Sequence, residues 1–131
     1  MGIGYFADTY ALVEIIKGNK NYAKFLDRPL FTSIFNLYEL YYIILKDYNK
    51  SQAENFFFYF KKNIIKFNDS AIFFASEFKL NNRKKNISYT DSLGYAISIE
   101  NDFKFLTGDK EFKGIGNVEF VKWIIFIFDD L

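Results

Sequence analysis

Hydrophobic positions along the chain alternate between two patterns. Short apolar runs suit strands buried on both faces, and longer segments with polar interruptions suit helices. Residues 3–7 form the first run, and Asp8-Thr9 follows at once with side chains that favour a helix start. Residues 10–17, closed by Gly18, read as that helix, and residues 22–26 as a second helical stretch before Arg28-Pro29. Residues 30–32 predict a strand leading into a helix over 33–46. Residues 51–63 predict a helix with Ser51 as cap and Glu54 at the capping-box spacing. Residues 64–67 form a short strand candidate, and Asp69-Ser70 opens a helix that runs to about Leu80. After a polar loop over 81–86, Thr90-Asp91 starts a helix to about Glu100, and residues 103–106 and 118–121 read as further strands. Strands alternating with helices predict an α/β fold on a mainly parallel sheet of about four to five strands, with right-handed crossovers. One Pro and the lack of any linker or repeat predict a single domain over residues 1–131.

Composition narrows the chemistry. The longest charge-free stretch, residues 29–38, is far short of the roughly 18 apolar residues of a spanning helix. The first seven residues lack a basic region ahead of an apolar one, so the chain reads as cytoplasmic. There is no His and no Cys, which removes the usual neutral-pH base, thiolate nucleophiles and Cys-based metal sites. Any reaction must run on carboxylates, hydroxyls, Lys or a hard metal ion. With 17 Lys+Arg against 16 Asp+Glu, the net charge of +1 lacks the basic excess of a strongly electrostatic nucleic-acid binder. The 18 Phe, 10 Tyr and 1 Trp read as core packing rather than as a base-stacking platform.

Ligands of parallel sheets bind beyond the carboxyl ends of the strands. Asp8 closes the first strand and Asp109 follows the strand 103–106, while Asp91 stands at a helix start. Each also suits a structural role, Asp8 and Asp91 at the positive end of a helix dipole and Asp109 in a turn after Gly108. Glu39 is the only charged residue between Arg28 and Lys46, in a helix apolar nearly all round and so expected to be buried. A buried carboxylate needs a cation, a network of donors or a proton. Asn36, one turn earlier, shares its face. A hard divalent cation shared with other carboxylates meets the need, and so does a structural pair with Lys or Arg.

The ordered set of Asp8-Thr9, Thr32-Ser33 leading to Glu39, Thr90-Asp91-Ser92-Leu93-Gly94-Tyr95-Ala96 and Phe105-Leu106-Thr107-Gly108-Asp109-Lys110-Glu111-Phe112 resembles a PIN domain. Its small single-domain form is similar to the VapC-type toxins of toxin-antitoxin pairs. The resemblance implies a three-layer α/β/α fold and a ribonuclease dependent on Mg²⁺ or Mn²⁺. In it Asp8, Glu39, Asp91 and Asp109 match the acidic metal site, and Thr107 matches a polar residue supporting it. It also implies an RNA substrate, a cognate antitoxin and a homodimer. Tyr10, where many members carry a smaller residue, and Gly94, in a helix usually richer in Ala, depart from the pattern.

Four carboxylates repel a phosphodiester until a cation joins them, so the metal would belong to the substrate site. A metal-bound water would be the nucleophile for in-line displacement, leaving a 5′-phosphate and a 3′-hydroxyl. Lys110 and the run Arg83-Lys84-Lys85 are candidates for contact with RNA backbone, although a solvated charge describes each better. The β-prone run at residues 123–128, in the tail 123–131, suits a last strand, a dimer contact or an antitoxin docking surface. The alternatives are a PIN nuclease of RNA processing or decay outside a toxin-antitoxin pair, a phospho-acceptor domain using Asp8, and a non-catalytic binding module. A haloacid-dehalogenase-like site would want a second Asp where Tyr10 stands, and a receiver domain would want acids among residues 1–5, where there are none.

Overall fold

The structure is a computed structural model and describes residues 4–121. Among these residues four strands form one sheet: β1 (Tyr5–Ala7), β2 (Leu30–Phe31), β3 (Lys104–Thr107) and β4 (Val118–Phe120). Their order is β2-β1-β3-β4 and every pairing is parallel. Among the described residues five α-helices cover it: α1 (Thr9–Ile16), α2 (Ile34–Asp47), α3 (Lys50–Lys61), α4 (Asp69–Asn81) and α5 (Tyr89–Glu100). The chain leaves β1 toward β2 on one side and toward β3 on the other, so the carboxyl ends of β1 and β3 flank the switch point where such sheets bind ligands.

Alternation along the central strands makes two cores. Ala7 and Leu106 face α1, α2 and α3, where they meet Leu12, Leu37, Leu40 and Phe60. Phe6 and Phe105 face the other way, onto Ala71 and Ala75 of α4 and Tyr95 and Ala96 of α5. The layers are therefore helix, sheet, helix, as the resemblance implies. Gly94 is explained by this packing: a Cβ there would lie 2.7 Å from Phe6 Cε1 and 3.1 Å from Phe105 Cε1. Large rings on the strands occupy the space an Ala would need on the helix.

Several boundaries differ from expectation. The stretch 22–26 is a 3₁₀ turn over Lys20–Phe25, and the strand expected at 64–67 contracts to a single parallel bridge between Ile64 and Thr32. The cap of α3 is Asn49 rather than Ser51, with its side chain accepting from Gln52 N at 2.8 Å. Asn caps at least as well as Ser and stands two residues earlier, so the helix nucleates from it. Helix α5, expected to start at Thr90-Asp91, begins at Tyr89 behind the cap Ser88, which places Asp91 inside the first turn. The tail at 123–131 lies outside the described residues.

Candidate active site

Asp8 is placed by the sheet and used by the helix. It sits one position beyond the Ala7–Leu106 pair, with extended backbone, and caps α1 by accepting from Ala11 N at 2.8 Å through Oδ1. Its other oxygen accepts from the hydroxyl of Thr107, the last residue of β3. The carboxyl is almost wholly buried, and that burial raises its pKa from 3.8 to about 8, with the charges of Asp91 and Asp109 adding to the rise and the Thr107 and Ala11 hydrogen bonds opposing it. Thr107 itself is inaccessible and reaches the cleft only through Asp8.

Asp109 stands two residues past Thr107, donates its amide to the Thr107 hydroxyl at 3.0 Å and caps the short 3₁₀ turn Lys110–Phe112 through Glu111 N. Asp91 projects from the first turn of α5, where burial, then Asp109 and Glu39, push its pKa to about 6 against the pull of Ser88.

Glu39 is half-buried, not buried, and α2 is not enclosed. Leu37, Leu40 and Ile44 pack into the core, while Ile34, Phe35, Tyr38, Tyr42 and Leu45 on its other faces are exposed. Apolar identity does not dictate burial when one face of a helix already supplies the core contact. A directed chain of donors holds the carboxylate: Ser33 Oγ donates to Asn36 Oδ1 at 2.6 Å, Asn36 Nδ2 to Thr9 Oγ1 at 3.1 Å, and Thr9 Oγ1 to Glu39 Oε1 at 2.6 Å. Of the solutions open to Glu39, the structure supplies the donor network. Among the described residues the ion pairs are Lys17–Glu14 and Lys46–Asp47, neither involving an acid of this group.

Asp8, Glu39, Asp91 and Asp109 all line one cleft of about 1050 Å³. Four separate stretches of chain thus converge there. Oxygen donors with no ion-pair partner among the described residues suit a hard divalent ion in charge and ligand type. Among the described residues no three of the carboxylates share a single ligand sphere as they stand. Asp8 and Glu39 are each held by hydrogen-bond partners.

Other lining residues carried no mark in the sequence: Ser88 and Lys113, with Tyr38 and Tyr42 from α2; Thr9 lines the cleft too. Thr9 was legible only as a helix starter, because its bond to Glu39 spans 30 residues. Lys110 lines the cleft, but Arg83, Lys84 and Lys85 do not. Lys85 instead donates to the Glu111 carbonyl at 3.0 Å, and Arg83 to that of Leu80. Tyr10, exposed at the rim, lays its ring directly against Gly108.

Fold and cleft together define the class, a parallel α/β protein with a carboxylate-lined cleft at the carboxyl edge of its sheet. A family model for the PIN domain matches residues 5–118, and the chain belongs to the PIN domain family. Its fold is similar to that of a toxin-antitoxin complex from Klebsiella pneumoniae (17% identity, 92% of this chain and 99% of that one, TM-score 0.74). It is similar also to VapBC2 from Rickettsia felis bound to a DNA fragment from their promoter (24%, 93% and 100%, 0.71). A third similar structure is VapC20 from Mycobacterium tuberculosis, a sarcin-ricin loop cleaving toxin (17%, 90% and 99%, 0.69). No curated protein matches the sequence. No helix among the described residues is long and apolar enough to cross a membrane.

Proposed function

We propose that this PIN-domain protein is an endoribonuclease dependent on Mg²⁺ or Mn²⁺, the toxin of a type II toxin-antitoxin pair acting in the cytoplasm. The observation that carries the reading is the convergence of Asp8, Glu39, Asp91 and Asp109 on one cleft, none of them in an ion pair among the described residues. The structural neighbours, two of them toxin-antitoxin assemblies and a third a sarcin-ricin loop cleaving toxin, support an RNA target and an antitoxin partner; a second copy of the chain is part of the same reading.

The four acids would hold the ion. Once bound, it supplies an activated water and offsets charge on the phosphate. Thr107 fixes the Asp8 carboxylate from behind, and the Ser33–Asn36–Thr9 chain fixes Glu39, so both present oxygens without searching rotamers. Asp91 and Asp109 complete the anionic pocket that keeps phosphate out until the ion is in place. Displacement at phosphorus would leave a 5′-phosphate and a 3′-hydroxyl.

The test is cleavage of single-stranded RNA by the full chain in Mn²⁺, Mg²⁺ or EDTA, with Asp8→Asn and Asp91→Asn beside wild type. Cleavage that needs the ion and both acids supports the reading; cleavage that survives EDTA or both substitutions sinks it. A small reading frame for an antitoxin beside the gene separates the toxin from an RNA-processing nuclease.

A further inference from the structure

We propose that Tyr38 and Tyr42 form a base-stacking subsite of the carboxylate cleft, gripping unpaired bases next to the cleaved phosphate. The inference rests on the nuclease reading and adds which side chains select the RNA conformation. Both rings lie on α2, four residues apart and on either side of Glu39 in sequence, so they share one edge of the helix with that acid. Both line the same cleft as the four acids. Tyr38 is 75% exposed and Tyr42 61% exposed.

The fold does not use these rings. Leu37, Leu40 and Ile44 anchor α2, and among the described residues neither Tyr38 nor Tyr42 pairs with another aromatic ring, whereas Tyr41 of the same helix packs edge-on against Phe57. Two large flat side chains held open beside an anionic, metal-suited cleft present stacking faces, and every base has a face to offer. In a helical duplex those faces are covered by neighbouring bases, so the substrate must be unstacked there, as in a loop or single strand. Lys110 and Lys113 line the cleft from the segment after β3, and neither is in an ion pair among the described residues. They supply point charges for the flanking phosphates while the rings take the bases. An apolar protein segment in the same cleft would leave both lysines and the acids without compensation, so nucleic acid is the better match.

The test compares the full-length wild type with Tyr38→Ala, Tyr42→Ala, Tyr38→Phe and Tyr42→Phe on a single-stranded oligoribonucleotide in Mn²⁺. The probe base beside the cleavage point is 2-aminopurine, whose fluorescence falls when it stacks. Each Ala variant is expected to raise KM about 5- to 100-fold, from the usual worth of one stacked base, with kcat within about threefold of wild type. The Ala variants lose the quenching and the Phe variants retain it, because the face and not the hydroxyl makes the contact. Ala variants that keep wild-type KM and quenching overturn the subsite and leave the nuclease reading standing. Unchanged RNA kinetics with an altered oligomer size would reassign the rings to a protein contact and likewise overturn it. Quenching without cleavage by the wild type would retain the subsite and sink the nuclease; loss of both in the wild type sinks both.

Discussion

Thr107 donates its hydroxyl to Asp8 across a sequence separation of 99 residues, at a point inaccessible to solvent. The parallel register of β1 with β3 sets up this contact, since Ala7 opposes Leu106 and Asp8 and Thr107 are the residues that follow them. The bond favours the ionised carboxyl that a cation would require, against the burial that disfavours it. Thr107→Val keeps the shape and deletes the donor. A hydrogen bond to a charged group is worth about 1.5–3 kcal/mol, so metal-dependent cleavage should fall by roughly 10- to 100-fold. Thr107→Ser should retain most of it. Steady-state kinetics of both variants, with the Asp8 pKa followed by NMR and expected to rise in the Val variant, check this.

Metal-free protein should lose stability as the solution becomes more alkaline. Asp8 titrates at 3.8 when unfolded and at about 8 when folded, so between these values the folded chain holds a proton that the unfolded chain has released. Unfolding then gains from rising pH, and the stability present at low pH is lost progressively up to about pH 8. Asp91, raised to about 6, acts in the same direction over the lower part of that window. No His is present to titrate across it. Thermal melts in EDTA should therefore show Tm falling between pH 5 and pH 8, and Mn²⁺ should raise Tm more at pH 8 than at pH 5.

Asp8→Asn should abolish cleavage while stabilising the metal-free fold at pH 8. The substitution removes a buried charge and keeps an oxygen for Ala11 N, at the expense of an acceptor for the Thr107 hydroxyl. A net gain of about 1–2 kcal/mol corresponds to roughly 4–10 °C in Tm for a domain of this size. A melt at pH 8 in EDTA that shows the variant no more stable than wild type would falsify this account of the burial cost.

Thr9→Val should damage Glu39 and Asn36 together. It leaves the fully buried Asn36 amide without its acceptor and Glu39 without its donor. An orphaned buried polar group costs about 1–3 kcal/mol, and cleavage should drop with stability. Thr9→Ser, which keeps the hydroxyl, should restore both; a loss in Thr9→Ser that Thr9→Val escapes would point to the methyl group instead.

Tyr10 and Gly108 should behave as a coupled pair. A Cβ on Gly108 would collide with the Tyr10 ring and lie 2.8 Å from the Tyr22 hydroxyl. Gly108→Ala should cost about 1–3 kcal/mol as overpacking, and combining it with Tyr10→Ser should recover part of that loss. A double-mutant cycle by urea denaturation measures the coupling, which vanishes if the ring does not lie on the glycine.

Much of the framework was legible along the chain. Strands β1 and β3 are recoverable from the apolar runs at 3–7 and 103–106, because a strand buried on both faces needs apolar residues throughout. Asp8 and Asp109 could be marked because they follow such runs. The caps were harder: Asn49, Ser51, Ser88 and Thr90 all have side chains able to cap, and only the packed helix shows which one nucleates it. The burial expected around Glu39 failed for a related reason. Composition records how apolar α2 is, not how much of that surface the sheet has room to cover.

What the sequence determined by itself is local or compositional: alternation of strands and helices, chemistry without His or Cys, and a lone acid in an apolar helix. Those follow from backbone periodicity and from the identity of the side chains. Which residues meet was decided only by tertiary structure. The register of two parallel strands brings Thr107 under Asp8, and the packing of α1 beside α2 puts Thr9 on Glu39. The side of α2 left facing solvent turns Tyr38 and Tyr42 from apparent core residues into walls of the cleft. Contacts of this kind join residues far apart in the chain, and no local pattern encodes a distance that exists only once the layers have packed.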